Sequence, residues 1–106
     1  MKSAHVPIRR CKTLADVRRE IDRLDRRIVR LLSERGGYVG EAARIKESAS
    51  QIVDRARIEA VVEKARGRAA ILGADADTVE RIYRAMIDAY IVFERKQFSK
   101  KKKKKR

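Results

Sequence analysis

Two basic side chains, Arg35 and Lys46, are the residues of this 106-residue chain whose spacing first indicates chemistry. On one helix they lie on the same side, about 16 Å apart along the axis, because eleven residues make three turns. Arg35 falls on an apolar seam, where a charge without a partner is costly. Two long side chains that lean toward each other could hold one small anion. The alternative is a basic helix flank without a ligand.

Two further arginines extend this hypothesis. Arg18 lies about 25 Å before Arg35 on the same helix, too far for both to bind one small molecule within a single chain. In an antiparallel dimer, Arg18 could reach the partner's site instead. Arg57 falls in the first turn of the next predicted helix, beside a loop, where an exposed surface arginine is the alternative interpretation.

The element that positions these cations is a helix predicted over residues 13–48. Thr13 is the expected N-cap, with Asp16 in capping-box spacing. Apolar residues recur at alternating steps of three and four and define a heptad seam of Leu14, Val17, Ile21, Leu24, Ile28 and Leu31. Such a helix is about 54 Å long, whereas a globule of this chain length is roughly 25–30 Å across, so a partner chain is implied. Gly36 and Gly37 either kink the helix or let another group approach its backbone; we favour close approach, because apolar periodicity resumes after them.

Two more helices are predicted. Asp54 is the expected N-cap of the second helix, and Gly73 its C-terminal stop. Asp77 and Glu80, in capping-box spacing, are expected to start the third. The third helix carries an apolar stripe of Val79, Ile82, Tyr83, Met86, Ile87, Tyr90 and Ile91. Glu94 prolongs this stripe, so its carboxyl lies either at a frayed end or buried, protonated and able to donate a hydrogen bond.

Composition limits the class of protein. The net charge is +14; residues 100–106 contribute seven of it, which leaves a basic body of about +7 that favours anionic ligands. A charged fraction of 42% with 5% aromatic residues suits a helical assembly. The single cysteine, Cys11, cannot form an internal disulfide, and we expect a cytoplasmic protein. No stretch is long enough to span a membrane, and we expect no membrane partner.

Three segments are expected: a flexible arm over residues 1–12, a helical domain over 13–98 and a disordered basic tail over 99–106. His5 and Cys11 in the arm are too few ligands for a metal site. The tail could touch nucleic acid, but the sequence has no motif that reads bases, so a solvated tail is the simpler interpretation.

One pattern in this sequence is specific enough to indicate a family. The run Leu14-x-x-Val-Arg18-x-x-Ile21-x-x-Leu24-Asp25, followed by Leu31-Leu-x-x-Arg35, Lys46 and Arg57, resembles the all-helical class of chorismate mutases. Within that superfamily, Tyr38-Val-x-x-Ala-x-Arg44-x-Lys46 and Tyr90-Ile91 resemble the isochorismate-pyruvate lyases. The resemblance covers residues 14–98. It implies an all-α fold in which three-helix protomers, each with one very long N-terminal helix, form an intertwined homodimer with two shared sites.

The resemblance also implies roles for individual residues. Arg35, Arg57 and the partner's Arg18 would bind the carboxylates of a small dianionic substrate. Lys46 and a protonated Glu94 would donate to the ether oxygen of the breaking C–O bond. A pericyclic rearrangement needs no nucleophile, metal or cofactor. Catalysis would therefore consist of orienting the dianion and stabilising the negative charge that grows on its ether oxygen.

Some residues at the family's site positions favour a mutase and others favour a lyase. Ile58 stands where many mutases have a Glu that binds the substrate hydroxyl. Tyr90, which the resemblance implies is a substrate-binding residue, replaces a small polar residue common in mutases; both changes favour the lyases. Asp54, which matches a position in contact with the ring hydroxyl, and Glu94 favour the mutases. We therefore expect a chorismate mutase, with an isochorismate-pyruvate lyase as the alternative. A basic helical dimer that binds nucleic acid, and an inactive regulatory relative, are further alternatives; the retained cations argue against the inactive relative.

Overall fold

The computed structural model describes residues 5–104, without the side chains of residues 102–104. In this part of the chain all regular structure is helical: α1 (Leu14–Ile45), a short 3-10 turn (Ala49–Gln51), α2 (Arg55–Leu72) and α3 (Ala76–Lys104). The predicted all-α protomer of three helices, the first of them the longest, is confirmed. None of the described helices is both long and apolar enough to cross a membrane. Residues 1–4 of the predicted arm and residues 105 and 106 of the predicted tail lie outside the described part.

The first helix begins at the predicted residue and ends slightly early. Thr13 caps it, since its hydroxyl oxygen accepts a hydrogen bond from the Asp16 N–H at 3.1 Å. The helix ends at Ile45, because the backbone becomes extended at Lys46 (φ −62°, ψ 137°). Lys46 is therefore the first residue outside α1, and its own N–H still bonds to the Ala42 carbonyl at 2.9 Å.

Both ends of α2 lie where the sequence predicts them. Asp54 Oδ1 accepts a hydrogen bond from the Arg57 N–H at 3.0 Å. Gly73 ends the helix with a left-handed φ of 80°, which glycine adopts without the steric penalty of a Cβ. The chain before α1 packs against this end: the His5 ring touches Gly73, and the Val6 N–H donates to the Leu72 carbonyl at 3.4 Å.

The third helix is capped by Asp75, so the predicted capping pair of Asp77 and Glu80 is wrong. The Asp75 carboxylate accepts hydrogen bonds from the hydroxyl and the N–H of Thr78, which lower the pKa of Asp75. Asp77 and Glu80 instead bind Arg66 of α2, at 2.9 and 2.7 Å. At this helix start, the acid that caps the helix and the acids that bind the neighbouring helix are therefore different residues.

The far end of α3 also differs from the prediction. Residues 99–104 continue the helix, although their composition predicts disorder. Two contacts anchor this segment: the Phe98 side chain is only 3% exposed, and Lys101 bonds to the end of α1. Such packing stabilises a helix that composition alone would not, and lysine is itself a good helix former.

The core between the helices is small, because α3 alone packs against both of the others. The buried apolar residues of the described chain are Ala43, Ile52, Val62, Ala65, Ala69, Ile87 and Phe98. Ion pairs complete the junction of α2 with α3. Arg84 binds Glu59 of α2 at 2.9 Å and Glu80 of its own helix at 2.7 Å, and these hydrogen bonds lower the pKa of both carboxyl groups.

The apolar seam of α1 lies in water in the single chain. Leu14 is 69% exposed and Leu31 is 63% exposed, and the other four seam residues are each more than a third exposed. The chain is elongated, measuring 60 × 32 × 18 Å. Its radius of gyration is 17.6 Å, against about 13 Å for a compact chain of this length. The apolar seam from which the sequence predicts a partner chain is therefore uncovered in the single chain.

Candidate active site

The three helices and the segment between α1 and α2 line a partly open cavity of about 360 Å³. Its lining consists of Arg35, Val39, Ala42, Lys46, Gln51, Ile52, Asp54, Arg57, Ile58, Val61, Ile87, Tyr90 and Glu94. Six of the seven predicted site residues are among them. Arg35 and Lys46 come from α1 and its end, Asp54 and Arg57 from the start of α2, and the remaining two from α3. The arrangement brings together cations that are up to 22 residues apart in the sequence.

Lys46 and Glu94 form an ion pair in the lining of the cavity. Lys46 Nζ donates to Glu94 Oε2 at 2.7 Å, and the side chain of Glu94 is 8% exposed. Of the two alternatives for Glu94, burial is therefore the correct one. The sequence predicts Glu94 as a hydrogen-bond donor to a substrate, whereas in its contact with Lys46 the Oε2 atom of Glu94 is the acceptor. The contact fixes the end of the Lys46 side chain at the wall of the cavity.

Tyr90 positions Arg35. The Arg35 guanidinium lies over the Tyr90 ring, with its Cζ 4.9 Å from the ring centroid, and the Tyr90 hydroxyl donates to the Leu32 carbonyl. The ring packs on Gly36, where an added Cβ would lie 3.3 Å from Tyr90 Cε1; at Gly37 nothing lies within 4 Å. The prediction that a glycine here admits another group to the helix backbone is therefore confirmed for Gly36. The helix continues through both glycines.

Basic charge continues beyond the mouth of the cavity. A neighbouring cavity of about 260 Å³ shares Arg35 and Arg57 with the first, and Lys64 and Arg68 of α2 also line it. No carboxylate lines this second cavity among the described residues. A small anion that approaches along α2 therefore meets a field of positive charge before it reaches the first cavity.

Gln51 is a lining residue that the sequence analysis missed. Its side-chain oxygen accepts hydrogen bonds from the N–H groups of Glu47 and Ser48, at 2.9 and 3.1 Å. The Ser48 side chain in turn caps the 3-10 turn. The spacing of Ser48 and Gln51 is that of a capping box, a signal that could have shown that these residues form a folded turn rather than a loop.

Arg18 is the predicted site residue that the chain does not bring to the cavity. It is exposed on α1, more than four turns before Arg35. In the folded chain, as expected from the sequence, Arg18 is too far along α1 to share a cavity with Arg35. Arg18 is available to a second molecule and not to its own cavity.

The geometry limits what the cavity can do. Arg35 and Arg57 supply guanidinium groups, which bind carboxylates through paired N–H donors. Lys46 supplies an ammonium that Glu94 orients, and Ile52, Ile58, Val61 and Ile87 supply apolar walls. No cluster of three or more His, Cys, Asp or Glu side chains with metal-site geometry occurs in the described part of the chain. Fold and cavity together define an all-helical protein with a cavity whose basic and apolar lining suits a small organic anion.

Comparison with known proteins identifies the family. Residues 17–95 match the sequence model of the family described as chorismate mutase type II, and this chain belongs to that family. It is also similar to the isochorismate pyruvate lyase of Pseudomonas aeruginosa. The two are 38% identical over 81 residues, which cover 76% of this chain and 80% of the lyase. The resemblance to this superfamily that the sequence pattern predicted is therefore confirmed.

Proposed function

We propose that this protein is a chorismate mutase, which rearranges chorismate to prephenate. The observation that carries the proposal is that Arg35, Lys46 and Arg57 line one cavity, together with a carboxylate that orients the lysine. Chorismate is a dianion with two carboxylates and one ether oxygen. Two arginines and one lysine match those groups in number and in charge.

In this proposal, Arg35 and Arg57 bind the two carboxylates and hold the flexible substrate in its reactive chair-like conformation. Lys46 donates to the ether oxygen, on which negative charge grows as the C–O bond breaks. Glu94 acts through Lys46: its carboxylate holds the ammonium, and it makes no contact of its own with the ether oxygen. This role replaces the one expected from the sequence.

Asp54 supports the mutase over the lyase. Its carboxylate lines the cavity, and one of its oxygens accepts the hydrogen bond that caps α2. The other oxygen has lone pairs for a ring hydroxyl of the substrate. Asp54 would therefore bind the substrate hydroxyl in place of the Glu that many mutases have at the position of Ile58.

An isochorismate-pyruvate lyase, which gives salicylate and pyruvate, is the second candidate. Two observations favour it. The lyase of Pseudomonas aeruginosa is 38% identical to this chain, and the cavity wall is apolar at Ile58 and aromatic at Tyr90. Both reactions break a C–O bond to an enolpyruvyl group, so the same three cations would serve either substrate.

We further propose that the working unit is a homodimer with two shared sites. The exposed seam of α1 supplies an apolar surface along a helix about 48 Å long. A second chain that lies antiparallel on this seam would bring its Arg18 toward the open side of the cavity. Each site would then be completed by the partner's Arg18.

Incubation of the purified protein with chorismate and with isochorismate, followed by chromatography of the products, tests the proposal. Prephenate from chorismate is the expected result. Salicylate and pyruvate from isochorismate, with little prephenate, would transfer the assignment to the lyase. If neither product forms, both assignments fail, and salt-dependent DNA binding would then test the nucleic-acid alternative.

Arg35→Ala and Arg30→Ala provide a matched pair for the same assay. Both remove an arginine from α1, but only Arg35 lines the cavity. We expect about 100-fold or greater loss of kcat/KM for Arg35→Ala, by analogy with the removal of one preorganised donor, and little change for Arg30→Ala. Equal losses in the two variants would indicate a structural role for basic residues on this helix.

A further inference from the structure

A lysine from α3 holds the C-terminal end of α1. Lys101 Nζ donates to the carbonyl oxygens of Ala43 at 3.0 Å, Arg44 at 3.1 Å and Lys46 at 2.6 Å. The last carbonyls of a helix have no partners within the helix, and a cation placed there also complements the helix dipole. An ammonium has three hydrogen-bond donors, so these three bonds use its full capacity.

The position of Lys101 is itself fixed. Its ammonium lies 4.6 Å from the centroid of the Phe98 ring, and Phe98 is buried in a cluster with Ala43 and Ile52. Glu94, Phe98 and Lys101 are four and three residues apart, so they lie on one face of α3. Across two turns, this face contacts the side chain of Lys46 through Glu94 and its backbone carbonyl through Lys101.

We propose that Lys101 is a positioning residue for Lys46. Glu94 holds only the ammonium of Lys46, at the end of a four-carbon stem with several rotatable bonds. Lys101 holds the other end of the same residue, since it fixes the backbone at which α1 stops and from which the stem enters the cavity. The inference rests on the proposed function, in which the Lys46 ammonium donates to the ether oxygen of the substrate. No contact between Lys101 and the substrate is required.

The test compares Lys101→Met with Lys100→Met in the full chain. Methionine keeps an unbranched stem but removes all three donors. Lys100 is the neighbouring exposed lysine and makes no hydrogen bond to α1 among the described residues, so its substitution changes the charge equally. Circular dichroism shows whether the two variants are equally helical. If Lys101→Met is less helical, Lys101→Gln replaces it in every measurement.

Kinetics provide the first readout. We expect Lys101→Met to lower kcat about 10- to 100-fold on the substrate that the wild type converts, because a small misplacement of a catalytic group has an effect of this size. KM should stay within about threefold, because Arg35 and Arg57 are untouched. Lys101→Arg, which keeps several donors, should recover most of kcat, and Lys100→Met should resemble the wild type. Equal losses of kcat at both lysines, or a raised KM at unchanged kcat, would overturn the proposal.

The reactivity of Lys46 provides a readout that needs no activity. N-hydroxysuccinimide acetate modifies free amines, and mass spectrometry of peptides reports the rate at each lysine. In Lys101→Met, Lys46 should be acetylated severalfold faster than in the wild type, while the exposed Lys64 should be unchanged. An unchanged rate at Lys46 would overturn the proposal. If the wild type converts neither chorismate nor isochorismate, the proposed function fails, and this rate still decides whether Lys101 positions Lys46.

Discussion

A mixture of two inactive variants should regain activity if the sites are shared between chains. Arg35→Ala damages the site of the chain that carries it. Arg18→Ala, in the dimer that we propose, damages the site of the partner instead. In a dimer with one chain of each kind, one site carries both substitutions and the other carries neither. The intact site should work at the normal rate, although both parent proteins are inactive.

The expected recovery follows from the geometry of α1 and from the symmetry of a dimer. Arg18 and Arg35 are about 25 Å apart on a rigid helix, so one chain cannot place both in one cavity. Random reassortment of two chains gives half of the dimers as mixed dimers, and each of these has one intact site of two. The mixture should therefore regain about a quarter of the wild-type activity. Mixed dimers purified through two different tags should have about half.

The assay is prephenate or salicylate formation after the two variants have been unfolded together in urea and refolded. Arg35→Ala mixed with Arg57→Ala is the matched control. Both residues line the cavity of their own chain, so every site in every dimer remains damaged and no recovery is expected. No recovery with Arg18→Ala, despite mixed dimers isolated through both tags, would refute the shared site. Recovery in the control as well would show that the activity has another source.

Three further predictions concern the site and the fold. Glu94→Gln should keep kcat within about tenfold of the wild type, because its amide oxygen still accepts from the lysine, whereas Glu94→Leu should lower kcat about 100-fold; steady-state kinetics distinguish them. Gly37→Ala should raise the free energy of unfolding in urea by about 1 kcal/mol. Gly36→Ala should raise it by less, because the new Cβ would lie 3.3 Å from the Tyr90 ring. Equal gains in the two variants would show that the ring moves freely. The lowered pKa of Glu80 means that its bond to Arg84 stabilises the fold fully above the ordinary value of 4.5 and is lost as the pH falls through the lowered value. The urea midpoint of Arg84→Met should therefore fall less on acidification below about pH 4.5 than that of the wild type, and parallel declines would contradict this assignment.

Local signals in the sequence were sufficient to place most helix ends. Thr13, Asp54 and Gly73 act within a single turn, so their residue type and spacing predict their roles. Asp75 shows where such signals fail. Asp77, two residues later, was predicted to cap the same helix start, but it binds Arg66, which lies eleven residues before it on another helix.

The candidate site was predicted residue by residue, but its internal contacts were not. Helical spacing and the family pattern identified Lys46 and Glu94 separately. The bond between them joins residues 48 positions apart, and no periodicity reports such a pair. The role of Lys101 could not be predicted from the sequence, because this residue belongs to a run of lysines whose composition predicts disorder. Its hydrogen-bond partners are backbone carbonyls, which every residue has, so the residue types do not indicate them.

If chains pair through the exposed seam of α1, the activity of the protein depends on its concentration. In the dimer that we propose, the contact that covers the seam also completes the two sites. Where single chains predominate, the amount of dimer depends on the square of the chain concentration, so halving the amount of chain would remove about three quarters of the working sites. The rate of synthesis of the chain would then act as a steep control on flux.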